Sequence, residues 1–437
     1  MKASNLQIIK QLTFFFRQAE AEKLRYCQRV QDFTRNRLIS FHTVIYFILN
    51  LSKRSLSLEL ADYFEHFHPT NEPATKSAFS QARYKIKAQL FQDCNHYLIQ
   101  QAQTHQFFTQ TWLGLQLIGV DGTTITLPDT ACIRTEFGTV TNQNKSSQVP
   151  MAQVVCAYDV LNRVGVLSKI APIATSETCI AMEFVKQLPD LSLSIYDRGY
   201  TGFAFIYQLT SAGKPFLMRA KLGFNNQVKA FVKSSKWSKV VTFSATDRAI
   251  KTCQALGIVI NKKATVKVRL VKVLLDTGQL EVLVSSLIDS AQYPTNCFKE
   301  LYFYRWGVEV FFDQLKNIIQ LESFIGHKPE AIYQEFYAMV LLCNLYALII
   351  TEAEQQLQAR NCSKKYDYSI NNNIAIGLIK YRLIELLIDC SRQRWESLQN
   401  KLLKHTEPVR PNRKNNRVKK RAKRGKYHTL TNYRRAI

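Results

Sequence analysis

Through the first hundred or so residues apolar positions recur at helical spacing, glycine is sparse, and breaks fall at His68-Pro69 and Glu72-Pro73. That pattern predicts a set of helices. Thr75 is placed to cap a helix running from Lys76 to Lys87, with Arg83 and Lys87 on one face at i, i+4 spacing. From Gln116 the period shortens. Apolar runs at Gln116–Leu127, Met151–Val160 and Arg163–Lys169 read as strands, the last two separated by a hairpin-length Leu161-Asn162. Ser176 is placed to cap a helix from Glu177 to about Gln187. Leu191–Tyr196 then reads as a strand, Ala204–Leu209 as a helix and Pro215–Arg219 as a strand. This β-β-β-α-β-α order predicts a mixed α/β core.

Between Leu222 and Ser286 the pattern turns β again. Val266, Val268 and Leu270 alternate with Lys267 and Arg269, Asp276-Thr277-Gly278 makes a turn, and Leu280, Val282 and Val284 alternate after it. From Asn296 to about Lys404 the spacing is helical, with breaks at Pro329 and near Asn361 to Asn373. The most apolar stretch, Ala338 to Ile350, contains Asn344. It falls short of the roughly 20 residues that span a bilayer, so it reads as a core helix. The expected organisation is a helical N-terminal DNA-binding domain (1–110) and a catalytic core (111–221 and 287–350) interrupted by a β-strand insertion (222–286). A helical C-terminal region (351–408) and a basic tail (409–437) follow. The N-terminal helices read equally well as a basic, solubilising cap.

Charge narrows the choice of partner. Lys and Arg number 59 against 33 Asp and Glu, a formal +26, which favours a polyanion. From Arg410 to Ile437 the chain carries twelve Lys or Arg and no acid. Such a block cannot form a core and suits phosphate contact without sequence readout. Ten cysteines are scattered without a Cys-x-x-Cys pair, which argues against a zinc site or a disulfide framework. Met1-Lys2-Ala3-Ser4 leads into an amphipathic segment rather than a uniformly apolar one, so a cytoplasmic, nucleoid-associated protein with no membrane role is expected.

The candidate chemistry rests on three acids. Asp121 lies in Gly119-Val120-Asp121-Gly122-Thr123 and Asp197 in Tyr196-Asp197-Arg198-Gly199-Tyr200, each after an apolar run. Glu309 lies on a helical stretch. At about 100° per residue, Tyr302, Arg305, Glu309 and Lys316 fall within roughly 60° of one another on one helix face. Two strand-borne carboxylates and a helix-borne one make a set of hard oxygen donors for divalent cations and phosphodiester oxygens. Arg305 and Lys316 suit phosphate. Taken alone, the Arg305–Glu309 pair reads as an ordinary surface i, i+4 ion pair. Beside Asp-Gly-Thr and Asp-Arg-Gly-Tyr it reads as part of a site.

Tyr302, Arg305, Glu309 and Lys316 fill the pattern Tyr-x2-Arg-x3-Glu-x6-Lys. Together with the two Asp segments, the stretch from about Ser77 to Asn344 resembles the bacterial insertion-sequence DDE transposases of family four. The resemblance implies an RNase H-like core with a β-rich insertion before the third acid. It implies two Mg²⁺ (or Mn²⁺) ions on Asp121, Asp197 and Glu309, and transposon-end DNA positioned by Tyr302, Arg305 and Lys316. Arg198 and Trp306 are further candidates for DNA contact; Trp306 reads alternatively as an ordinary core or surface aromatic. The partners implied are terminal inverted repeats, target DNA and a second copy of the chain in a synaptic complex. The rival readings are a standalone metal-dependent nuclease and a catalytically dead, transposase-derived DNA-binding protein. The polar segment Asn142 to Gln148 has no assigned role.

Overall fold

The computed structural model describes residues 5–50, 53–141, 148–361 and 366–409. The basic tail from Arg410 onward, and all of the polar segment 142–148 but Gln148, lie outside the described residues.

The chain divides into two compact units. One holds residues 86–344. The other joins residues 1–85 to residues 345–437, so the N-terminal helices and the C-terminal region, expected as separate pieces, share one unit. The boundary also falls before the helix Gln89–Thr104, which belongs with the sheet rather than with the N-terminal helices.

The first unit is built on a nine-stranded sheet. Its strands are β1 (Gln116–Thr126), β2 (Thr139–Thr141), β3 (Gln148–Asp159), β4 (Val164–Pro172), β5 (Ser192–Tyr196), β6 (Phe216–Ala220), β7 (Ser238–Ser244), β8 (Thr265–Leu274) and β9 (Leu280–Ser285). The order is β3-β1-β5-β6-β9-β8-β7, with β2 and β4 both pairing β3. β1 runs antiparallel to β3 and parallel to β5, and β5 runs parallel to β6. The central strands are apolar on both faces, as a sheet covered by helices requires: β5 is buried throughout, and β3 from Ala152 to Asp159.

The interval 222–286 does not form a separate β layer. β9 pairs antiparallel with β6, so its three strands extend the same sheet. Two helices, Asn226–Lys233 and Asp247–Ala255, also lie in it, capped by the side chains of Asn225 and Thr246. They are only eight and nine residues long, too short for their period to stand out between the strands.

Helix Cys297–Phe303 packs Phe298, Leu301 and Tyr302 into a core with Leu117, Leu193, Ile195, Leu217 and Leu283. Helix Trp306–Asp313 lies against β1 and β3, anchored by Phe311 stacked on Tyr158 at 4.6 Å. Its approach is close. A Cβ on Gly307 would meet Val160 Cγ1 at 2.9 Å, so a larger residue there would push the helix off the sheet.

In the other unit, helices Leu6–Ala21, Phe41–Leu49, Leu56–Phe67 and Lys76–Arg83 pack with Asn372–Ile379, Arg382–Ile388 and Arg392–Lys404. Thr75 Oγ1 accepts from Ala78 N–H as its position suggested. Arg83 does not share an exposed face with Lys87: the helix stops at Arg83, whose side chain is buried beside Phe79. The long helix Pro329–Asn361 belongs to the sheet unit as far as Asn344 and to this one from Leu345 on, and it opens with proline at its first turn, where no N–H is needed. By length and composition it could cross a membrane, but 89% of its most apolar window is buried, which marks a core helix. Asn344, the polar break in that window, exchanges hydrogen bonds with Gly165 N–H and C=O and donates to Asn95 Oδ1.

Candidate active site

The site forms where β5 ends. Val120 is the last β1 residue paired to β5, opposite Tyr196, while β1 continues to Thr126. Among the described residues no strand pairs with β1 on the β5 side beyond that pair, and Asp121 and Asp197 each follow one member of it. This is the crevice at the carboxyl ends of parallel strands where α/β sheets bind ligands. Asp197 heads a single 3-10 turn, Arg198–Tyr200, closed by Tyr200 N–H to Asp197 C=O.

The third element departs from the single continuous helix assumed above. One helix ends at Phe303, a turn follows at Tyr304–Arg305, a second helix runs from Trp306 to Asp313, and Gln314–Ile318 form a π-turn. All four signature side chains still reach the site. Arg305 donates from Nη1 to Asp121 Oδ2 (2.9 Å) and from Nη2 to Glu309 Oε1 (2.7 Å). Tyr302 OH donates to Asp197 Oδ1 at 3.1 Å. Lys316, on the π-turn, donates to Thr123 Oγ1 and Thr124 C=O, both at 2.7 Å. π-turns recur at functional sites, and here the turn aims the Lys316 ammonium along β1.

Burial sets the electrostatics. The Asp121 carboxyl is pushed up to about 6 by burial; Gly122 N–H and Arg305 pull it down, and the charges of Glu177 and Glu309 add to the rise. Burial and the facing Asp197 raise the Tyr302 phenol, so it remains a donor. Burial lowers the Lys316 ammonium. Burial would also lower Arg305, but its bond to Glu309 and the field of Tyr302 and Asp121 reverse that. Its Nε is buried without a hydrogen-bond partner among the described residues. Arg198 is exposed, and Trp306 is 49% exposed with the Arg305 guanidinium 5.0 Å from its ring centroid. Neither touches the three acids.

The donor set fits a divalent cation chemically, since carboxylate oxygens are what Mg²⁺ and Mn²⁺ take. The arrangement is held by a guanidinium instead. Among the described residues no three His, Cys, Asp or Glu side chains stand together as a group able to hold an ion. Arg305 occupies Asp121 Oδ2 and Glu309 Oε1, and Gly122 N–H donates to Asp121 Oδ1 at 2.9 Å, so a cation would have to share or displace these donors.

Sequence reasoning passed over three neighbours. Thr123 receives Lys316, Tyr200 lies buried behind Asp197, and Glu177 reaches β1 from the opposite helix layer. Thr123 and Tyr200 stood in the quoted segments. Glu177 carried no local signal beyond its place at the start of a helix.

Residues 112–345, more than half of the chain, match the family described as Transposase DDE domain, and the chain belongs to that family. It is similar to the transposase InsG for insertion sequence element IS4 of Escherichia coli (strain K12), 23% identical over 236 residues, 54% of this chain and 52% of the relative. A second relative from the same organism is 24% identical over 139 residues, 32% of this chain and 46% of its own length. The chain thus spans about half the length of the curated relatives it matches. A solved piggyBac transposase synaptic complex with hairpin DNA aligns with 91% of this chain and 81% of its own at 11% identity and a TM-score of 0.41, a likeness too low to build on.

Proposed function

We propose that this chain is the DNA transposase of an insertion sequence. It cleaves the element's terminal inverted repeats and joins the freed 3′-OH to target DNA in cut-and-paste transposition within the bacterial cytoplasm. The observation that carries the reading is Arg305 bonded to both Asp121 and Glu309, with Tyr302 of the same segment bonded to Asp197 beside the Val120–Tyr196 pair. Membership of the Transposase DDE domain family supports it.

An RNase H-like core is part of the proposal. Its support is the strand order β4-β3-β1-β5-β6, with three antiparallel strands followed by two parallel to β1.

Asp121, Asp197 and Glu309 would hold two Mg²⁺ or Mn²⁺ ions. Such ions would supply Lewis acidity toward the attacking water or 3′-OH and toward the leaving oxygen. The remaining work belongs to side chains. Arg305 neutralises Asp121 and Glu309 in the DNA-free protein and then turns its fork to a backbone phosphate. Tyr302 orients Asp197 through its phenolic O–H, and Lys316 presents a point charge to the strand beside β1. Arg198 and Trp306, both exposed, extend the contact surface to the DNA end. Two ends call for two copies, so a homodimer is expected in the synaptic complex.

The test is cleavage of a labelled duplex carrying the inverted repeats that flank the coding region, with Mg²⁺ or Mn²⁺, by wild type and Glu309→Gln. Nicking at the repeat boundary, lost in the variant while DNA binding persists, is the expected result. Binding without cleavage by wild type would overturn it, and cutting indifferent to the repeat would reduce it to a nuclease.

A further inference from the structure

Glu177 opens the helix Glu177–Phe184, which follows β4 and packs on the sheet face opposite Glu309's helix. Its carboxylate lies directly over the Cα of Gly122: a Cβ built there would sit 2.4 Å from Glu177 Cδ and 2.6 Å from Oε1. Only glycine, next in chain to Asp121, lets a carboxylate come that near the strand. The side chain is also held in place, because Gln153 Nε2 on β3 donates to Glu177 Oε1 at 3.0 Å and to Thr123 C=O at 3.3 Å. A second, independent feature marks the same spot. Tyr200 is 3% exposed, its hydroxyl has no hydrogen-bond partner among the described residues, and Glu177 and Asp121 both act on it electrostatically. A buried hydroxyl without a partner, in the field of two carboxylates, calls for a further polar species beside it.

Side chains at Asp121 and Gly122 point to opposite faces of β1. That would ordinarily separate Glu177 from Asp121. Here it need not, because among the described residues no strand pairs with β1 on the β5 side beyond Val120. Side chains meet that stretch instead: Lys316 donates to Thr124 C=O and Thr126 N–H donates to Glu322.

We propose that Glu177 is a fourth carboxylate of the divalent-cation site, reaching β1 beside Asp121 from the layer opposite Glu309, with Tyr200 OH bonded to the cation's hydration shell. This rests on the reading of Asp121, Asp197 and Glu309 as the metal-holding acids. Gln153 acts as a positioning residue that fixes the rotamer.

The test uses the full-length protein without DNA, titrated with Mn²⁺ while the free-ion EPR signal is followed. Glu177→Gln keeps the acceptor for Gln153 and removes only the charge. It is expected to weaken Mn²⁺ binding about tenfold or more, with an unchanged melting temperature in EDTA. Unchanged Mn²⁺ affinity in Glu177→Gln, with losses in Asp121→Asn, Asp197→Asn and Glu309→Gln, would overturn this proposal and leave the three-acid reading standing. Indifference of Mn²⁺ binding to all four substitutions would overturn both. Should Glu177→Gln fail to fold, wild type loaded with Fe²⁺ and treated with ascorbate and peroxide answers the same question. Backbone scission near 177 as well as near 121 is expected; scission near 121 and 309 with none near 177 would contradict the proposal.

Discussion

In the helical unit, Glu59 is fully buried and accepts from the backbone N–H groups of Lys53 and Arg54, from Arg54 Nε and from Lys380 Nζ. Burial alone would raise its carboxyl, but the Arg54 N–H and the Lys380 charge outweigh it and hold the group below the ordinary value of 4.5. In the sheet unit, Asp121 is also tied to an arginine, yet burial wins there and its carboxyl rises to about 6. Both clusters join acids to a guanidinium. The first surrounds one carboxylate with more donors than it needs. The second spreads one arginine over two carboxylates and leaves its Nε without a hydrogen-bond partner among the described residues. An unpartnered buried donor costs stability in the free protein and suits a site built to receive a further ligand.

Substitutions should separate the two behaviours. The largest effect is expected for Asp121→Asn: DNA cleavage falls by about a thousandfold, with the unfolding free energy within about 1 kcal/mol of wild type. Single-turnover cleavage and denaturant melts read the two quantities, and a large stability loss would make Asp121 structural like Glu59. Glu59→Gln should do the reverse, lowering the unfolding free energy by about 3 kcal/mol because the partly buried Lys380 loses its counter-charge. Metal-dependent cleavage by the folded fraction should persist.

The pH dependence sharpens the contrast. Because the folded Glu59 carboxyl lies below its unfolded value, its stabilisation is complete above the ordinary 4.5 and is lost as pH falls through the lowered folded value. The stability gap between wild type and Glu59→Gln should therefore close in acid, and a gap that widened there would show the sign to be wrong. The smallest effect is expected for Lys316→Ala, about a tenfold loss of cleavage with the salt slope of DNA binding reduced by about one.

How far the sequence disclosed these features depends on range. β1, β3, β4, β5 and β6 were legible because apolar runs bounded by turns leave a strong period, and Asp121 and Asp197 stand out against those runs. The turn at Tyr304–Arg305 and the π-turn at Gln314–Ile318 were not. Each shifts the helical phase locally while the Tyr302, Arg305, Glu309 and Lys316 spacing still reads as one face. The helices Asn226–Lys233 and Asp247–Ala255 were hidden by their shortness, eight and nine residues between strong strands. Packing of the first 85 residues with the chain after Leu345, and the approach of Glu177 to Gly122, are contacts across long separations that no local period encodes.

If Arg305 competes with a cation for Asp121 and Glu309, the Mn²⁺ affinity of DNA-free Arg305→Gln will show it. Severalfold tighter binding than wild type, together with loss of DNA cleavage, is the predicted result. Weaker Mn²⁺ binding in the variant would mean that the guanidinium builds the site rather than holding it in reserve, and would contradict the account.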